Sequence, residues 1–211
     1  MRLYAVFLIL LIPLQLFAPF DFNKSTTKQT IKVEQEESIL DYCLVELKDG
    51  TNKTRKEVFH LAKNAIKVYL KRKHYTDHFL IQDSLADALA CIFVSESSNA
   101  RGRPAKSSLW ILHFNPFGLT SSRGDVIKTS WEMVKGKRVV MNRVFRSFNS
   151  FEEAVDSLLC DYLLKLRFEP LMNCLTVKDF LYTLRDCGYM TDSNWPNFAY
   201  NEIYLKSIQT F

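Results

Sequence analysis

Apolar residues recur at helical spacing along most of this chain, and most tightly in one stretch. Across 84–98, Leu85, Leu89, Ile92 and Phe93 fall at i, i+4, i+7 and i+8, one face of an α-helix. Asp83 or Ser84 is placed to cap it, because such side chains accept from the free N–H groups of a first turn. Upstream, Ser38–Lys48 reads as a short helix stopped by Asp49-Gly50. Thr54–Lys73 reads as a longer one, with Val58, Leu61, Ala62, Ala65, Tyr69 and Leu70 on its core face. Downstream the period changes. Val126–Met133 and Arg138–Phe148 carry β-branched and aromatic residues around Lys135-Gly136-Lys137, a β-hairpin signature. Ser150-Phe-Glu-Glu153 is a capping box opening a helix with Phe151, Ala154, Val155, Leu158, Leu159 and Tyr162 on one face. Arg167-Phe168 and Pro170 end that element. Thr176 opens a helix over Val177–Asp186, stopped by Gly188. Tyr189–Asp192 is a loop, and Asn194–Ile208 is a last helix. The fold class predicted is α+β, mostly helical, with a small β-hairpin lobe.

The first residues change this picture. Met1 and Arg2 precede an uncharged run from Leu3 to Phe20. Residues 1–22 therefore read as an export signal, either cleaved or retained as an inner-membrane anchor through residues 3–20. Eighteen helical residues reach about 27 Å, close to a membrane core. Residues 23–36 are polar and mixed in charge and read as a tether. Residues 37–211 are left as one domain, ordinary in length for a single core.

Composition excludes more than it assigns. The 211 residues are 47% apolar and 24% charged, a globular balance. A net charge of +5, from 28 basic and 23 acidic residues, suits an anionic partner such as a bacterial cell wall. Runs such as Lys71-Arg72-Lys73 are solvated faces, so no nucleic-acid partner is expected. The five cysteines, 43, 91, 160, 174 and 187, show no ligand spacing, so neither a metal nor another cofactor is expected. Cys91 and Cys160 are expected to act as small apolar residues in helices.

The candidate chemistry begins at Glu96. It lies four residues beyond Ile92 and so continues the apolar stripe. A carboxyl partly desolvated in this way is favoured in its neutral form. A neutral carboxyl at a helix end is the group needed to protonate a leaving-group oxygen. In Asn115-Pro-Phe-Gly-Leu-Thr120, Gly118 permits a turn that a side chain would block, and Phe117 offers an apolar wall. Trp131, Phe145 and Phe148 stand where a hairpin could line a sugar groove, although core packing is the preferred role for the two phenylalanines.

Four segments then fall in a recognisable order: Val94-Ser-Glu-Ser97, Asn115-Pro-Phe-Gly-Leu119, Phe145-Arg-Ser-Phe-Asn-Ser-Phe-Glu-Glu-Ala154 and Cys187-Gly-Tyr-Met-Thr-Asp192. Together, across 84–204, they resemble the bacterial glucosaminidases of glycoside hydrolase family 73. The resemblance implies a lysozyme-like fold and cleavage of the β-1,4 bond after N-acetylglucosamine in peptidoglycan glycan strands. It implies that Glu96 is the general acid and that Tyr189 lies near the reacting sugar. It also implies that Asn115, Phe117 and Gly118 form the turn shaping the groove and contact the substrate there. The second carboxylate departs from the pattern: Ser130 takes the family's Glu position, which leaves Glu132, two residues on, or Asp125. A lytic transglycosylase and a non-catalytic wall-binding or assembly protein remain alternatives.

Overall fold

The computed structural model describes residues 22–49, 51–99, 101–121, 125–134 and 137–209. Residues 3–20, with the export segment, lie outside them. The chain divides between Gln35 and Glu36 into two units, and the second carries the candidate site. The class is the expected one, mostly helical with a single two-stranded antiparallel sheet among the described residues.

Helix α1 spans Phe22–Lys48, so the polar stretch read as a tether is helical, and the short helix expected from Ser38 begins far earlier. Polar residues with good helix propensity, Lys, Glu and Gln, account for that extension. Helix α2, Arg55–Lys73, opens on a full capping box between Thr54 and Glu57. It buries Val58, Ala62, Ala65, Tyr69 and Leu70 as expected, and Phe59 and Ile66 besides.

Helix α3, Gln82–Glu96, is the centre of the molecule. Every side chain from Leu85 to Val94 is buried. A helix buried on all sides lies inside the core, and its one charged residue there, Asp87, is paired with Lys63. The expected side-chain cap is not formed. The helix starts two or three residues early on Ile81, which has no capping side chain, and Asp83 and Ser84 fall within the first turn. Phe93 packs edge-to-face on Trp110 at 5.2 Å and on Phe117 and Phe151 at 6.3 Å. Trp110 belongs to α4, Ser108–His113.

Strands β1, Val126–Val134, and β2, Lys137–Phe145, pair from Val126↔Phe145 to Val134↔Lys137. Phe145 and Phe148 are buried at the base of the hairpin, the packing role preferred for them. Helix α5, Phe151–Asp156, passes into π-helical turns over Ser157–Leu163. Ser150 Oγ accepts the Glu153 N–H as expected, but the Glu153 carboxylate returns to Asn149 N and Nδ2 and not to Ser150. A 3₁₀ segment, Leu166–Asn173, leads to α6, Val177–Asp186, capped by Thr176 and followed by Gly188 at φ +79°. The last helix begins as α7, Trp195–Asn197, widens over Phe198–Leu205 and closes as α8, Lys206–Ile208. All five cysteines are free thiols. Cys91 is buried, but Cys160 is exposed and lies 3.2 Å from the Tyr75 hydroxyl, so it does not act as a small core residue. None of the described helices is long and apolar enough to cross a membrane.

Candidate active site

The end of α3 is pinned by its own backbone. Ser97 is buried, and its carbonyl accepts from Lys106 N and Ser107 N while its Oγ accepts from Ala105 N. The basic loop after Glu96 is thereby folded back under the helix end. Glu96 emerges half-buried into a cleft of about 560 Å³. Three other parts of the chain complete that cleft. Phe117–Thr120 form its floor, Ser130, Arg143 and Phe145 of the hairpin form one wall, and Arg167, Phe168 and Gly188–Asp192 form the other.

The floor depends on two residues of the Asn-Pro-Phe-Gly turn. Asn115 is buried; its Nδ2 donates to Leu119 O and Arg146 O, and its Oδ1 accepts from Leu119 N, all at 2.9 Å. Its amide is spent inside the protein, so Asn115 builds the turn and is absent from the cleft lining, contrary to its expected contact with substrate. Gly118 sits at φ +63°, where a non-glycine residue is strained. A Cβ there would also stand 3.2 Å from Glu96 Oε2. The turn thus keeps bare backbone beside the acid. Phe117 does not supply the expected sugar wall; its ring is 1% exposed and packed on Phe93 and Phe151. What it offers the site is its carbonyl, which accepts the Tyr189 hydroxyl at 2.9 Å.

Tyr189 and Glu96 are brought together as the motif order implies. Burial pushes the Tyr189 phenol well above its ordinary pKa, and the nearby charge of Glu96 raises it further. The phenol therefore stays protonated and keeps its bond to Phe117. On its other side Glu96 meets Ser95: the Trp195 indole N–H donates to Ser95 Oγ at 3.1 Å, and Ser95 Oγ is 3.3 Å from Glu96 Oε1. Ser95 Oγ also lies 3.0 Å from Ile92 O, so its single proton is shared between the helix carbonyl and the carboxyl. This relay joins residues a hundred positions apart, and no local pattern announces it.

The two candidates for a second carboxylate fare differently. Asp125 is exposed, accepts the Ser147 N–H at 3.1 Å and does not line the cleft. Glu132 and Trp131 are placed on β1 opposite Val139 and Val140, but their side chains lie outside the described residues. Ser130 does face the cleft, and its Oγ is buried without a protein hydrogen-bond partner. Asp192, also on the lining, accepts the Asn194 N–H at 2.9 Å. Ser130, Arg143 and Arg167 were not singled out as site residues from the sequence. The alternation of β1 and β2 would have placed the first two on one face, but nothing in the sequence says which face meets the helices. Among the described residues no group of His, Cys, Asp and Glu gathers to hold a metal ion.

No protein-family model matches this chain, and no curated protein does. Among solved structures it is similar to a peptidoglycan hydrolase mutant from Sphingomonas sp. A1, at 17% identity and a TM-score of 0.48, covering 65% of this chain and 92% of that one. It is also similar to a C-terminally truncated glycoside hydrolase domain of FlgJ from Salmonella typhimurium, at 18% identity and a TM-score of 0.40, covering 68% of this chain and 99% of that one.

Proposed function

We propose that this chain is an exported peptidoglycan hydrolase of lysozyme-like fold, cutting the β-1,4 bond after N-acetylglucosamine with Glu96 as general acid. The observation that carries the reading is one carboxyl at the end of a buried helix, facing a cleft whose floor is kept open by Gly118 and whose far side holds Tyr189. The Glu96 proton passes to the glycosidic oxygen as the C1–O bond breaks. The oxygen of water then bonds to C1, and a proton returns to Glu96.

The second group is Glu132 or the substrate itself. Asp125 is set aside by its place off the cleft and its bond to Ser147. If Glu132 reaches within about 6.5–9.5 Å of Glu96, it activates water directly and the anomeric centre inverts. Otherwise the N-acetyl group of the sugar attacks C1, with Tyr189 orienting it. One observation favours a second reading, a lytic transglycosylase: of the two carboxylates described on the lining, Asp192 is held by a backbone N–H, which leaves Glu96 acting alone.

Digestion of purified sacculi separates these readings. Wild type is expected to release fragments ending in reducing N-acetylglucosamine, and Glu96→Gln to lose about 10²–10⁴-fold in rate. Anhydro-muramyl ends, read by mass spectrometry, would establish the transglycosylase. Full activity in Glu96→Gln would reduce the chain to a wall-binding protein.

A further inference from the structure

Among the described residues, two buried side-chain oxygens lack a hydrogen-bond partner, Asp87 Oδ1 and Ser130 Oγ. Asp87 is matched all the same, because the Lys63 ammonium stands 2.7 Å from that oxygen. Ser130 has no such relief. It lies on β1 and lines the cleft with Glu96, Gly118 and Tyr189. The strand shows why its hydroxyl is left unbonded. Thr129, on the other face of β1, bonds across the ladder to Asn142 Oδ1 at 3.0 Å. Ser130 stands opposite Met141, whose thioether is at best a weak acceptor. Two residues earlier on the same face, Lys128 reaches Ser108 Oγ at the start of α4, and burial lowers its pKa. This face of β1 is therefore turned inward and partly withdrawn from water, and the protein offers the Ser130 hydroxyl nothing to bond.

Such an atom is a cost to the free protein. A hydroxyl taken out of water and left unbonded destabilises the fold, and a methyl group in its place would not. The cost is offset only when something entering the cleft bonds to it. We propose that Ser130 Oγ is a substrate-binding group, the point at which the hairpin wall hydrogen-bonds a neutral polar group, a hydroxyl or an acetamido group, of the sugar held beside Glu96. This rests on the saccharide reading of the cleft and adds to it a residue outside the acid, the turn and Tyr189. A serine hydroxyl both donates and accepts and carries no charge, so it suits either partner. Its part is to hold the sugar, and no proton passes through it.

Ser130→Ala separates a ligand contact from a structural one, because the two roles move stability in opposite directions. Thermal unfolding of the free full chain is expected to give a melting temperature between that of wild type and about 3 °C above it. Binding is read by titration in the Glu96→Gln background, which removes turnover, with a soluble glycan tetramer prepared from sacculi. Adding Ser130→Ala is expected to weaken binding about fivefold, by the same factor at low and high salt, since a neutral hydrogen bond is not screened. With Glu96 in place, the same substitution should raise KM about fivefold at constant kcat. A melting temperature lowered by more than about 2 °C shows the hydroxyl to be bonded within the fold and overturns the proposal. Unchanged affinity overturns it too, the result expected if Ser130 only holds a trapped water. A loss confined to low salt assigns the effect to charge and also overturns it. The two ideas fail separately. Sacculus digestion by Ser130→Ala with wild-type KM leaves the hydrolase and removes the contact. Weaker glycan binding on adding Ser130→Ala, where the wild type cleaves nothing, does the reverse. No binding of the tetramer by either chain removes both.

Discussion

Helix α3 and the β-hairpin meet at the same cleft but are built on opposite principles. Ten successive side chains of α3, Leu85 to Val94, are buried, and Phe93 sits amid Trp110, Phe117 and Phe151. The hairpin forms an unbroken ladder, yet Ile127 is 72% exposed, and Val134, Val139, Val140 and Met141 are exposed with it. Among the described residues it is fastened near its base, through Phe145 and Phe148, the Ser121–Val144 and Arg146–Leu119 backbone bonds, the Arg146–Asp161 ion pair and the Lys128–Ser108 bond. A group that must be placed within a fraction of an ångström is mounted on the first kind of support. In the proposed hydrolase, the wall past which a glycan strand would enter is made from the second.

Substitutions that treat the two regions differently sharpen this contrast. Phe93→Ala should cost about 3–5 kcal/mol in chemical denaturation, because a close-packed aromatic core cannot refill the hole. Gly118→Ala should cost about 1–2 kcal/mol from its left-handed backbone. It should also slow sacculus digestion up to about 10²-fold, since the new methyl displaces the acid; unaltered kcat would mean that Glu96 is not held by contact with the turn. Trp195→Phe keeps the ring and deletes the donor to Ser95. It is expected to lower kcat about fivefold at constant KM in sacculus digestion, because the Ser95 hydroxyl beside the carboxyl loses its own partner.

Asp161→Asn tests the hairpin's fastening. The Arg146 bond, helped by Ser157 and opposed by burial, holds the Asp161 pKa below its ordinary 3.8. A carboxylate depressed on folding stabilises above its unfolded pKa and loses that contribution as pH falls through the folded value. The wild type should therefore exceed the variant by about 0.5 kcal/mol at pH 7, given the exposure of the pair, and the gap should vanish on acidification below that range. Equal denaturation midpoints at pH 7 would remove the ion pair from the hinge. Ile127→Thr, on the open strand, should change stability by less than about 0.5 kcal/mol. A larger loss there would show the hairpin to be part of the core after all.

What was legible in the sequence follows the same division. The α3 stripe, the α2 face, the Ser150 cap and the hairpin strands are periodic or local signals, and the structure carries them. The site was half legible. Glu96, Gly118 and Tyr189 converge as the motif order implied: Glu96 and Tyr189 follow elements whose period or stop signal could be read, and Gly118 belongs to a turn its own residue type marks. Asn115 and Phe117 kept their position but changed their task, since a motif shows that a residue is needed and not which neighbour takes its hydrogen bonds or its ring. Trp195, Arg167 and Arg143 arrive by tertiary folding alone. The π-helical turns over Ser157–Leu163 and Phe198–Leu205 were also missed, because an i+5 bond leaves no periodic trace different from an α-helix over so short a run.

Asn115 is the joint between the helical body and the hairpin, and its neighbour protects it chemically. An asparagine ages when the next residue's amide nitrogen attacks its side chain, releases ammonia and leaves an aspartate. Pro116 has no N–H to make that attack. Such a conversion would strip the two amide donations to Leu119 and Arg146 and set a negative charge in their place. With proline in the turn, the joint beneath this cleft is closed to that route of decay.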